Sequence, residues 1–309
     1  MSQTADRHPA TPSAIPCRGW RDVFIRVYRN VETNRVIIVA AGVSFYSLLA
    51  IFPAIAAMVA IYGLFADPAA ISAHLDSASG LLPGGAIEII RDQLTRTSSP
   101  GTGTLGFTFL GGLAFTLWSA NAGIKSIFDA LNLVYNEEEQ RGFVILNLVS
   151  LMFTAAAIVF ALAAIVLVIA LPIVLDYIGL GVATDLTVRV GRWPLLFLGV
   201  AFALAVLYRY GPSRSRPKLR WISWGSAFAT ITWIIASVLF SWYTANFATY
   251  DKTYGSLGAV IGFMVWLWIS MIVILVGAAI NAEIERQTAI PMRGRPKPSE
   301  LAASEANRP

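Results

Sequence analysis

Long apolar runs alternate with short polar stretches along this chain. A helix needs about 20 mostly apolar residues to cross roughly 30 Å of hydrocarbon. Runs at 36–65, 103–121, 143–175, 193–208, 221–247 and 257–280 meet or approach that length, 193–208 being the shortest. The predicted fold is all-α: a polytopic membrane protein of about six transmembrane helices, with amphipathic helices at the interfaces. Helices are the natural solution because each backbone amide in oil must find its partner within its own segment. Pro53, inside the first span, removes one backbone hydrogen bond and predicts a kink, with neighbouring helices or hydroxyls such as Ser47 covering the freed carbonyl. Gly106, Gly111 and Gly112 in the second span predict close approach of another backbone and an interior position. The third run exceeds one crossing, so it should tilt, protrude or break near Pro172.

The segments between the runs carry their own pattern. Residues 1–16 are rich in Pro, Ser, Thr and Ala without an apolar period, and 1–19 is read as a disordered cytoplasmic tail. In 20–34, Trp20, Val23, Phe24, Val27 and Val31 recur at helical spacing with arginines between them. Such a helix either lies on an anionic inner leaflet or faces solvent. Within the 66–102 loop, Ile87, Ile90 and Leu94 fall on one face of a short interfacial helix bounded by Pro83-Gly84-Gly85 and Pro100-Gly101. After the second span, Ile124, Phe128, Leu131 and Tyr135 repeat on one face, as a surface helix or as a continuation of the span. Glu137, Glu138 and Glu139 read as a solvated turn. The transmembrane domain is placed at 20–286, with 287–309 a second disordered cytoplasmic tail.

Composition and charge then fix the class and the orientation. Apolar residues make up 56% of the 309 and charged ones 13%, where soluble domains carry about 25% charged. Of the 23 Lys and Arg, six precede the first span, five lie in 209–220, five follow the sixth span, and Lys125 and Arg141 occupy the remaining inner segment. The three alternate segments hold the other five. Cytoplasmic loops carry the positive excess, so both termini are placed in the cytoplasm of an inner (plasma) membrane protein. The leader has no apolar core before Val36 and does not resemble a cleaved signal peptide. Trp193, Trp221 and Trp224 sit at span ends, where indoles favour the headgroup level. The net charge of +5 belongs to these span-flanking residues rather than to one basic face, so nucleic acid is not an expected partner. Cys17 alone can form neither a disulfide framework nor a cysteine metal site.

The chemistry of catalysis is sparse. The histidines are His8 and His74, without zinc-site spacing, and no glycine loop followed by Lys and Ser or Thr cradles a nucleotide. No cofactor, metal or catalytic residue is expected, and the chain is not read as an enzyme. No ionisable group falls at mid-depth; Asp176, Glu283 and Lys125 lie near span ends, within reach of water or snorkelling. Hydroxyls and amides are what the spans offer: Ser44, Tyr46 and Ser47, then Asn147 and Thr154, then Thr230, Thr232, Ser237 and Ser241. They line a moderately polar groove or hydrogen-bond helix to helix. Gly258 and Gly262, four apart, mark packing within the chain or contact with a second copy. Tyr250, Asp251, Lys252 and Tyr254 crowd the turn before the sixth span, as interface anchors or as an outer gate touching a headgroup.

Three separated stretches resemble one family. Tyr254-Gly255-Ser256-Leu257-Gly258-Ala259, Trp266-Leu267-Trp268 and Gly277-Ala278-Ala279-Ile280-Asn281-Ala282-Glu283 are similar to the closing signature of the YihY/BrkB family of bacterial inner-membrane proteins. Ala40-Ala41-Gly42-Val43-Ser44-Phe45-Tyr46-Ser47-Leu48-Leu49 with Pro53 resembles its first span, and Leu117-Trp118-Ser119-Ala120 with Ala130-Leu131-Asn132 its second. Ala279 departs from the family pattern, which has an acidic residue after Gly-Ala; Glu283 is the carboxylate available instead. The resemblance implies a six-span fold and a role in the cell envelope without specifying a reaction. An old label ties such proteins to ribonuclease BN, but this sequence has neither the metal ligands nor the soluble basic groove that cutting RNA needs. The expected function is handling or transport of lipid or another amphiphile, alone or with an envelope protein partner. The alternative is a structural or assembly component that moves no cargo.

Overall fold

The computed structural model describes residues 17–63, 105–167, 182–214, 219–247 and 256–289. Within them every regular element is a helix: α1 Cys17–Thr33, α2 Val36–Gly63, α3 Leu105–Tyr135, α4 Phe143–Ile165, α5 Val182–Tyr210, α6 Leu219–Phe247 and α7 Ser256–Ala289. Five of them contain a stretch long and apolar enough to cross a membrane: Val36–Met58, Phe143–Ile165, Trp193–Tyr210, Trp224–Thr244 and Val260–Gln287. α3 is long enough, at 31 residues or about 46 Å, but Gly111, Gly112, Asn121 and Lys125 dilute its apolar character.

Contacts at the helix ends settle how the six long helices run. Asn30 on α1 donates to the Val134 carbonyl at the end of α3, and Arg26 reaches Glu283 near the end of α7. The amide of Gln140, just before α4, donates to Ser213 just after α5, and Trp20 meets Trp224 near the start of α6. One end of the bundle therefore collects the starts of α2, α4 and α6 and the ends of α3, α5 and α7. Six antiparallel passes result, α3 among them.

The helices pack in the order α5, α6, α7, then α2 and α3 together, then α4, with α7 also carrying α1. Val36, Ala40 and Val43, Leu131 and Val134, and Val273, Leu275, Ala278 and Ala279 build the core where α2, α3 and α7 meet. The distribution of polarity is that of a chain solvated by lipid. Asn121, Asn281, Ser150, Ser226 and Thr230 are buried, while Phe115 (72%), Val144 (75%) and Val238 (63%) are exposed. Water would penalise so large an apolar exterior.

Several boundaries differ from those expected. The second run and the stretch 124–135 belong to one helix, Leu105–Tyr135, which runs unbroken through Gly123 where it packs against Ala50; it ends at Asn136, in the left-handed region at φ 54. The Glu137 amide donates back to Asn132 O and the Asn136 amide to Leu133 O, closing a Schellman cap. α5 begins eleven residues before the predicted 193–208 span and holds Pro194 inside it. α7 runs nine residues past 280, carried by its contacts with α1. Helix also starts at Cys17 and continues to Ala289, inside both stretches read as tails. The interfacial helix of the 66–102 loop, Pro172, Asp176 and both histidines lie outside the described residues.

Candidate functional site: a polar seam between α3 and α4

Two polar groupings interrupt the apolar bundle. The first ties the converging helix ends together. Glu283, 1% exposed, accepts from Arg26 Nε at 3.2 Å, Arg286 Nη1 at 3.1 Å and Asn30 Nδ2 at 3.3 Å. Arg26 also donates to Gln287. Arg214 pairs with Glu285 at 2.6 Å, donates to Tyr208 O and lies 4.2 Å from the centre of the Tyr135 ring. Glu139 and Arg141 form a two-pronged pair, both contacts at 2.7 Å, and Arg141 donates onward to Gly211 O. Asn132 donates to Glu139 and accepts from the Ser213 amide. Hydrogen bonds from Arg141, more than offsetting partial burial, hold the Glu139 carboxyl down at about 2. Charges out of water demand this degree of pairing. The grouping is a latch that joins the ends of α1, α3, α5 and α7.

The second grouping lies between α3 and α4. On α4, Asn147, Ser150, Thr154 and Ile158 share the buried face, at the spacing of three and four that stacks side chains along a helix. Facing them on α3 are Asn121 and Lys125. Lys125 Nζ donates to Asn147 Oδ1 and sits 5.1 Å from the centre of the Trp118 ring. Thr154 Oγ1 reaches Asn121 Oδ1 at 3.3 Å while bonding back to Ser150 O. Asn121 is 0% exposed, and its Nδ2 has no hydrogen-bond partner, a cost of about 1–3 kcal/mol for a buried donor. One turn beyond Lys125 stands Asp129, exposed. Asn121, Lys125 and Asp129 thus follow one stripe of α3 at steps of about 6 Å. Trp118, 49% exposed, and Phe115 flank its apolar end.

The residues singled out in the sequence scatter over this frame. Asn147 and Thr154 fall in the seam. Ser44 is buried and bonds back to Ala40 O at 2.6 Å. Tyr46 is exposed, edge-on to Phe45. Pro53 lies within α2, but Ser47 does not cap its freed carbonyl: Ser47 Oγ is buried without a partner. Thr230 is buried and bonds back to Ser226 O. Ser237 accepts from Trp266 Nε1 at 3.2 Å and Ser241 O accepts from Thr244. Among the described residues no groove shared by α2, α4 and α6 is assembled, because α6 packs mainly on α5 and α7. Tyr250, Asp251, Lys252 and Tyr254 lie outside the described residues.

Among the described residues, an added Cβ at Gly111, Gly112 or Gly262 would meet nothing within 4 Å, so these are not the close-packing glycines. The surroundings of Gly106 and Gly258 lie outside the described residues. Close approach occurs instead at Gly123 against Ala50 and at Gly225 against Gly277. Two ionisable groups expected near water are also more enclosed: Glu283 is buried in the latch, and Glu139 is clasped rather than solvated. Asn121, Ser150 and Asp129 escaped the sequence reading. The four-residue spacing of 121, 125 and 129 was the signal available, but it acquires meaning only once these positions share one helix.

Comparison with known proteins follows this geometry. A family model described as virulence factor BrkB matches residues 27–302. The ribonuclease-like protein YfkH of Bacillus subtilis is 32% identical over 260 residues, 82% of this chain and 91% of that protein. A UPF0761 membrane protein of Albidiferax ferrireducens is 24% identical over 89% of this chain and 65% of its own length. One from Ralstonia nicotianae is 35% identical over 32% of this chain and 22% of its own. No solved structure matches. Among the described residues no group of three or more His, Cys, Asp or Glu is placed to hold a metal ion. The matched length and the lipid-solvated helices together make this chain a multi-pass membrane protein of the BrkB family.

Proposed function

We propose that the protein handles membrane lipid, with the α3–α4 seam as the path of the polar headgroup. One observation carries this reading: a file of polar side chains, from Asp129 and Lys125 through Asn147 and Ser150 to Asn121 and Thr154, runs into an otherwise apolar bundle. A polar file beside lipid-exposed Trp118 and Phe115 lowers the barrier that hydrocarbon sets against a charged headgroup. The same reading places the latch end in the cytoplasm of the inner membrane, since the most basic segments gather there. It makes the chain a non-catalytic carrier, and purified protein should leave RNA intact.

The direct test is reconstitution into vesicles containing lipid labelled on its acyl chain. Exchange between leaflets should run faster than in protein-free vesicles, and Asn147→Leu together with Thr154→Leu should slow it. Unchanged exchange in loaded vesicles overturns the proposal. A stoichiometric protein partner crosslinked to the seam, in place of lipid adducts, favours the assembly role.

A further inference from the structure

The polar file has an order that names its occupant more closely. From the membrane interior outward, α3 carries the exposed apolar Phe115 and Trp118, the buried amide donor of Asn121, the ammonium of Lys125 and the exposed carboxylate of Asp129. A glycerophospholipid presents, in the same sense, acyl chains, ester carbonyl acceptors, an anionic phosphate and its headgroup substituent. We propose that this stripe of α3 is a recognition site for phospholipids whose headgroup ends in a primary ammonium, as in phosphatidylethanolamine. The site rests on the lipid-handling reading above but concerns binding alone.

Each position is chemically matched. Lys125 has three donors; Asn147 Oδ1 occupies one, leaving others for phosphate oxygens. Asn121 Nδ2 is a buried donor in want of an acceptor, which an ester carbonyl entering the seam supplies. Asp129 offers exposed acceptor oxygens one turn beyond the phosphate. A carboxylate favours an ammonium that donates hydrogen bonds over the quaternary ammonium of choline, whose recognition relies on aromatic cages. The other nearby charges reinforce the choice. Glu139 adds negative charge near Asp129, disfavouring headgroups of net negative charge, and Arg141 is already committed to Glu139 and the Tyr210 and Gly211 carbonyls.

Native mass spectrometry of the full chain in neutral detergent tests this with phosphatidylethanolamine, phosphatidylcholine and phosphatidylglycerol of identical acyl chains, and with free phosphoethanolamine. Phosphatidylethanolamine should bind about tenfold more tightly than the other two lipids, the order of one charge-assisted hydrogen bond. Asp129→Asn should abolish that preference. Lys125→Gln should weaken all three lipids and Lys125→Arg should restore them; the pair controls for folding. Equal binding of the ethanolamine and choline lipids, or a preference untouched by Asp129→Asn, overturns the site. So does free phosphoethanolamine binding as tightly as the lipid, since the apolar end of the stripe would then have no role. Selective binding without leaflet exchange sinks the transport reading and leaves the site standing; exchange without selectivity does the reverse.

Discussion

Glu283 lies one helical turn beyond Ala279 on the same face of α7. Ala279 is fully buried in the apolar core, whereas Glu283 lies level with Arg26 and Arg286, so its charge is compensated. Removing it leaves two guanidinium groups without their shared acceptor. Glu283→Ala should cost about 1.5–3 kcal/mol, the range for hydrogen bonds to charged groups. It should lower the thermal midpoint in detergent and open α1 to trypsin after Arg26; an unchanged digestion pattern would show that the latch does not hold α1. Glu139 makes a prediction in pH. Its folded pKa, about 2, lies below the usual 4.5, so its stabilising contribution is complete above about 4.5 and drains away as pH falls towards 2. Thermal midpoints measured from pH 5 to pH 3 should decline less steeply in Glu139→Gln than in the parent.

At the scale of elements, the α6–α7 crossing is the tightest glycine approach among the described residues. A Cβ on Gly225 would lie 2.5 Å from Asn281 Cγ and press on the Gly277 carbonyl, while Asn281 Oδ1 accepts the Gly225 amide at 2.9 Å. Gly225→Ala must therefore separate the helices and break that bond, and it should markedly reduce the yield of folded protein. Gly111→Ala meets open space and relieves a flexible helical position, so it should be neutral or stabilising by up to about 1 kcal/mol. Equal melting of the two variants would contradict this assignment of packing glycines. α1 is an element with two faces. Val23, Val27 and Asn30 are buried, while Phe24 and Tyr28 point outward beside Arg21 and Arg29. The apolar stripe of this helix is thus divided between the bundle and the exterior.

For the whole molecule, six passes that begin and end beside α1 place residues near 17, 212 and 289 on one side. Labels attached at these three positions should react from the same face of intact vesicles. On the proposed orientation that face is the cytoplasm; labelling of one position from the opposite face would break the topology. The described helix ends carry this argument, which is why α3 counts as a pass despite its diluted apolar character.

Hydropathy and helical period are local properties, and they sufficed for the class, the approximate spans and the basic segments: segments of such length and polarity have no alternative to coiling in lipid. The motifs around Ala40, Trp118 and Gly277 likewise identified the family. Partnership is not local. Arg26 and Glu283 meet across 257 positions, Asn121 finds Thr154 rather than Thr230, and Gly225 rather than Gly111 receives a neighbouring backbone. The sequence supplied the polar groups and the glycines; the crossing of helices, which depends on the packing of every side chain between them, selected those that face one another.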